Sequence, residues 1–244
     1  MLVALSLLAS ACGGGVGGRV FKKQYEYEEE IYLALDGTAT LNVNASVAAL
    51  VALRGVDLPI DPRARLDRAR VRAIFTGPGV DVTRVSLSRR NARRYVHVSL
   101  DVADVRQLAR VAPFAWSKYS LDRQGETVAF RQVVGAATRQ EVGDVGWDGS
   151  ELVAFRMHIP SRIPFHNSPG DVLRGNILEW DQPMSDRLEG VPLDLQVQME
   201  PQSILYSTLI LFGGTVVAAA LTFGLVIWWV ARRGRRAELA ESRS

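Results

Sequence analysis

The sequence predicts an α+β fold: a largely antiparallel sheet with two or three inserted helices, followed by one C-terminal transmembrane helix. Three observations carry this. Segments of alternating polar and apolar residues recur in pairs around short turn signals, as hairpins do. Helical stretches sit between hairpins instead of after every strand, which argues against a doubly wound parallel sheet. Residues 204–231 carry no formal charge, and at about 1.5 Å per residue that run is long enough to span hydrocarbon with some tilt.

Taken in order, residues 20–35 are Tyr-rich and alternate, so they read as a long strand. Asp36-Gly37 is a turn signal, because glycine tolerates positive φ. Residues 38–44 return, with Ala39, Leu41 and Val43 on one face. Ser46 is placed to cap a helix over 47–53 that Gly55 closes. A second helix is expected over 62–75, with Asp61 as its cap and Pro62 in its first turn. Residues 80–87 and 95–102 read as a hairpin around Arg89-Arg90-Asn91. A short third helix follows over 104–111. Residues 119–121 and 127–134 form another hairpin around Gln124-Gly125. Strands over 152–159, 175–180 and 193–199 complete the set, with a helical turn at 184–188.

The ends set the domain organisation. Residues 1–12 hold a short apolar run ending in Leu8-Ala9-Ser10-Ala11-Cys12, too short to span about 30 Å of hydrocarbon but suited to a secretory signal. It resembles a bacterial lipoprotein signal, in which the cysteine, here Cys12, carries the lipid. The alternative is an ordinary signal peptide with an incidental cysteine. A Gly-rich tether covers 13–19, a folded domain 20–203, the membrane helix 204–231 and a basic tail 232–244. Trp228 and Trp229 stand where an interfacial anchor belongs. Arg232, Arg233, Arg235 and Arg236 predict a cytoplasmic C-terminus and hence a domain outside the cytoplasm, on a single pass through the cell (inner) membrane.

The net charge of +3 comes from the tail. Residues 13–203 hold 24 basic and 24 acidic side chains, so the domain gives no sign of a nucleic-acid partner. Charge is nonetheless segregated. Residues 63–94 hold ten arginines against Asp67 and Asp81, whereas residues 141–200 hold eleven acids against four arginines. The plain reading is two solvated surfaces. The sharper one sets Arg63, Arg65, Arg68, Arg70, Arg72, Arg89, Arg90, Arg93 and Arg94 against anionic lipid headgroups.

Chemistry-bearing motifs are sparse. One cysteine precludes an intrachain disulfide and a Cys-based zinc site. His97, His158 and His166 match no metal-ligand spacing, and Ser161 near His158 lacks a nucleophile elbow. No catalytic residue, metal or cofactor is expected. Residues 147–190 are the densest stretch, with Trp147, Trp180, Asn167, Asn176, Arg162 and Arg174. They read either as core anchors and turn formers or as a polar rim around an apolar pocket.

The lipobox-like end, the strand–turn–strand opening through Leu33-Ala34-Leu35-Asp36-Gly37-Thr38, the further hairpins and the terminal membrane helix together resemble the LppM-type bacterial envelope proteins. Arg174-Gly175-Asn176-Ile177-Leu178-Glu179-Trp180 and Gln202-Ser203-Ile204-Leu205 also look like a group of uncharacterised bacterial membrane proteins. The resemblance implies an α+β outer domain that binds lipid or glycolipid. The expectation is therefore a non-enzymatic, membrane-anchored binding module. Its alternatives are an assembly subunit that docks on other envelope proteins and, last in rank, a hydrolase.

Overall fold

The computed structural model describes residues 23–202 and 204–241; Cys12, the signal-like segment and the Gly-rich tether lie outside them. The chain runs β1 (Gln24–Leu33), β2 (Ala39–Ser46), α1 (Val47–Arg54), α2 (Arg68–Phe75), β3 (Val80–Arg90) and β4 (Arg93–Val102). Two 3-10 turns, Val105–Arg110 and Ala112–Phe114, lead to β5 (Ser117–Gln124) and β6 (Thr127–Val134). Then come β7 (Glu151–His158), β8 (Phe165–His166), β9 (Ile177–Pro183), α3 (Met184–Glu189), β10 (Leu193–Met199) and α4 (Ile204–Glu241).

The fold is α+β, with the strands in two sheets. Six lie in the order β3-β4-β2-β1-β7-β9 and four in the order β5-β6-β10-β8. Every pairing is antiparallel except β1 with β7. In β1 the alternation buries Tyr27, Glu29, Ile31 and Leu33, while Glu28 and Glu30 are half-buried and Tyr32 is exposed. The pairing with β7 shifts register between Tyr25 and Tyr27. Such a bulge re-aims one side chain, and here the extra residue is the fully buried Glu26.

Helix α1 is apolar but for its last residue, Arg54, and all eight of its residues are buried. A helix of that composition is stable only when covered on every side. It packs on β1, β2 and β4 and is covered by α3 and the Ala112–Phe114 turn. Ser46 Oγ accepts from the Ala49 N–H at 3.0 Å, and Gly55 closes the helix at φ 64°. Both caps stand where the sequence puts them.

Helix α2 is shorter than expected. It begins at Arg68, with Asp67 accepting from the Ala69 N–H at 2.9 Å. Residues 59–67 stay irregular because the Arg94 guanidinium donates to the carbonyls of Pro59 and Ala64. Asp61 caps only a turn, through the Arg63 N–H at 2.8 Å. The third predicted helix is the 3-10 turn Val105–Arg110, started by Asp104. The β3–β4 turn lies at Asn91 and Ala92, both at positive φ, so the strands run on through Arg89 and Arg94. The short strand β8 was not expected.

The two ends of the six-stranded sheet differ. One carries the β3–β4 turn and the starts of β1 and β7, tied by Arg90 to the Tyr25 carbonyl and by Arg93 to Glu151. The other carries the β1–β2 turn and the ends of β4 and β7. There Gly37 approaches Leu121 of β5, and the Glu200 N–H donates to the Arg162 carbonyl at 2.9 Å. This second end is therefore where β10 finishes and the chain leaves for α4.

Helix α4 contains one stretch long and apolar enough to cross a membrane, Thr208–Trp229, 22 residues. Thr215 and Thr222 donate their hydroxyls to the carbonyls of Leu211 and Ala218 one turn back, so neither of these two donors is left unsatisfied toward lipid. Trp228 and Trp229 are exposed at its end. The helical backbone continues through Arg232, Arg233, Arg235 and Arg236, so the basic tail extends the helix.

Candidate binding cleft

An open cleft of about 840 Å³ lies at the end of the six-stranded sheet that carries the β1–β2 turn. Leu33, Ala39, Val80, Val102 and Ile159 give it an apolar lining. Its polar groups include Tyr32, Thr40, Asp81, Asp101 and His158. Tyr32 and His158 stack with ring centres 3.9 Å apart and planes within 13°. One carboxylate oxygen of Glu30 fixes the pair, accepting from Tyr32 Oη at 3.1 Å and lying 2.8 Å from His158 Nε2. Burial first, then the Glu30 charge, raises the Tyr32 phenol above its ordinary pKa, so it stays protonated. Thr40 donates to Asp101 at 3.3 Å. The cleft thus joins an apolar lining to a stacked aromatic pair and carboxylate acceptors, the mix of many apolar and few placed polar groups that small-molecule sites share.

A second polar group covers the outer face of the same sheet. Glu28, paired with Arg156, accepts from Asn44 Nδ2 at 3.1 Å. A carboxylate accepts only, so the Asn44 amide nitrogen faces Glu28 and its oxygen faces His97 Nδ1 at 2.9 Å. That fixes the tautomer: Nδ1 carries the proton and Nε2 accepts from Ser88 Oγ at 2.7 Å. Burial, and then Arg90, lowers the His97 pKa.

A third polar group lies in the interior. Glu29 and Arg54 form an ion pair at 3.0 Å with both side chains almost wholly buried. The carboxylate also accepts from Tyr27 at 2.7 Å, Gln132 at 2.9 Å and Tyr119 at 3.3 Å. The guanidinium lies 3.1 Å from the centre of the Trp116 ring. Tyr119 and Gln132 belong to the four-stranded sheet, so Glu29 ties the two sheets together. Burial pushes the Tyr27 and Tyr119 phenols well above their ordinary pKa. This site went unread in the sequence, though the alternation of β1 already put Glu29 on the face of Ile31 and Leu33.

The arginines of residues 63–94 divide. Arg63, Arg65, Arg68, Arg70, Arg72, Arg89 and Arg90 are exposed. Among them Arg70 pairs with Asp57, Arg72 donates to the Val82 carbonyl, and Arg89 donates to the Pro62 carbonyl. Arg93 and Arg94 instead turn into the protein. Arg93 pairs with Glu26 at 2.6 Å and Glu151 at 3.2 Å, and Arg94 is spent on Pro59 and Ala64. The Arg89–Arg94 turn, moreover, stands at the end of the sheet away from α4. Burial raises the Glu26 carboxyl, but hydrogen bonds from Ser46, Tyr95 and Arg93 outweigh it and hold the pKa below its ordinary value.

No protein family and no curated protein matches the chain. One solved structure does: the NMR structure of the Mycobacterium tuberculosis LppM folded domain, at 14% identity and a TM-score of 0.41, over 76% of this chain and 95% of that one. At that identity and score, neither family membership nor a ligand follows from the likeness.

Of the remaining candidates, Trp180 is a buried anchor whose Nε1 donates to Asn167 at 3.2 Å. Asn176 is a turn former at φ 57° whose amide holds the Ser161 carbonyl at 2.9 Å. Arg162 and Arg174 are exposed. His158 joins the cleft. His166 and Ser161 each bury a polar side-chain atom with no hydrogen-bond partner among the described residues, and no hydrogen bond joins Ser161 to His158. Cys12 lies outside the described residues, as do the side chains of Arg232, Arg233, Arg235 and Arg236.

Proposed function

We propose that this chain is a non-catalytic binding module of the bacterial envelope, held by α4 in the cell membrane with its domain outside the cytoplasm, and that its cleft takes a lipid or glycolipid. The supporting observation is position. The cleft lies at the end of the domain from which the chain enters α4, and it combines an apolar lining with a polar rim. The arginines after Trp229 favour a cytoplasmic C-terminus.

The test is mass spectrometry of lipids that co-purify with the detergent-extracted full chain and with Ala103→Trp. Ala103 is exposed and lines the cleft, so the indole fills it without entering the core. One lipid class enriched on the wild type and lost from the variant is the expected result. Equal profiles would remove the cleft from the account and leave the assembly reading.

A further inference from the structure

We infer that the domain rests on the bilayer surface by its cleft end, through a rim made of Phe165, Arg162 and the β5–β6 turn that carries Arg123. This depends on α4 crossing a bilayer, and not on what the cleft binds.

Chain length sets the reach. Strand β10 ends at Met199 and α4 begins at Ile204. Five extended steps cover at most about 18 Å, and the four helical residues before Thr208 add about 6 Å. Whatever stands level with the end of β10 is thus within about 25 Å of the hydrocarbon boundary. Register shows what stands there. Phe165 pairs with Gln198, and Arg162 accepts through its carbonyl from the Glu200 N–H. Val128 pairs with Met199, so the turn between Arg123 and Val128 projects past the end of β10.

The chemistry at this level fits a headgroup layer. Phe165 is 45% exposed, which has a cost in water and none against an interface that accepts aromatic rings. The Arg162 side chain is 82% exposed, with Glu200 at 3.8 Å its nearest ion partner, so the guanidinium can reach phosphate along an apolar stem. Arg123 is also exposed, at the same end of the four-stranded sheet but on its opposite edge, with β6 and β10 between it and Arg162. The Arg89–Arg94 turn lies a β1 length away, ten residues or about 33 Å at the strand rise. On this placement the basic residues 63–94 largely face away from the anchor's bilayer. The cleft, which shares Pro160 with the chain leading to Arg162, opens at the membrane surface. A lipid would enter it from the adjoining leaflet without crossing water.

Nitroxide labels on single cysteines test this in the full chain, reconstituted in nanodiscs of mixed zwitterionic and anionic lipid with Cys12→Ser as background. Labels replacing Phe165 and Gln124 should collide with lipid-soluble oxygen or lie close to a headgroup-borne relaxant, and a label replacing Asn91 should see only the aqueous relaxant. In a second arm, Arg162→Glu with Phe165→Asp should reduce lipid contact at the Gln124 label several-fold while circular dichroism stays unchanged. Lipid contact at Asn91, or purely aqueous behaviour at all three positions, would overturn the placement. The labels report depth with the cleft empty or filled, so failure of the lipid-binding proposal leaves this result readable, and the reverse also holds.

Discussion

Single residues hold the two sheets in register through polar contacts that the sequence hides. Glu29 and Arg54 are 25 positions apart, and nothing local marks them as partners. Their pairing follows only once α1 is laid across β1. Removing one partner of a buried ion pair strands the other charge, at about 3–5 kcal/mol. Arg54→Leu should therefore lower the unfolding free energy by that amount in urea titrations. A loss below about 1 kcal/mol would show that Glu29 finds another partner. His97 makes a pH prediction. Unfolded, it takes a proton near pH 6.5; folded, burial and Arg90 delay that to lower pH. The folded state thus gains stability from neutral His97 above about pH 6.5 and loses it as pH falls toward the depressed value. His97→Gln should flatten that part of the stability–pH curve. An unchanged slope between pH 7 and 5 would contradict it. Glu26 acts in the same direction at lower pH, because its carboxylate form is the one stabilised by the fold.

At the scale of elements, the legible parts were those with local causes. Helix α1 was readable from its apolar run, the Ser46 cap and Gly55, and β10 from its alternation between Leu193 and Met199. Helix α2 was misplaced at its start because Arg94, from a distant strand, holds residues 59–64 in an irregular path. Strand β8 was unreadable because two residues between Pro164 and Asn167 carry no periodicity; it exists because β10 offers an edge. The β5–β6 hairpin depends on Gly135, whose N–H donates to the Trp116 carbonyl at 2.7 Å. A Cβ added there meets that same carbonyl oxygen. Gly135→Ala should cost more than the roughly 1 kcal/mol of an ordinary strand substitution, read as a lowered melting temperature. Equal stability would mean that the hairpin opens without loss. Gly55→Ala, at a left-handed helix end beside Thr138, should lose about 1 kcal/mol or somewhat more.

For the whole molecule, a helix long and apolar enough to cross a membrane could be read from the uncharged run at 204–231, and the fold class from the spacing of hairpins. The cleft could not. It is assembled from the ends of β1, β4 and β7 and the starts of β2 and β3, which are distant in sequence and meet only through strand order. Nor could the orientation of the basic region, since the direction of each strand relative to α4 appears only in the folded chain. The central claim is that a membrane lipid or glycolipid occupies this cleft. Its most direct measurement is photo-crosslinking from p-benzoylphenylalanine at Thr40, an exposed cleft residue, in the full chain in native membranes, with Asn91 as control. The account predicts lipid-mass adducts at position 40 that disappear when Ala103→Trp is added, and none at position 91. Lipid adducts at position 91 with none at 40, or adducts at 40 that survive Ala103→Trp, would contradict it.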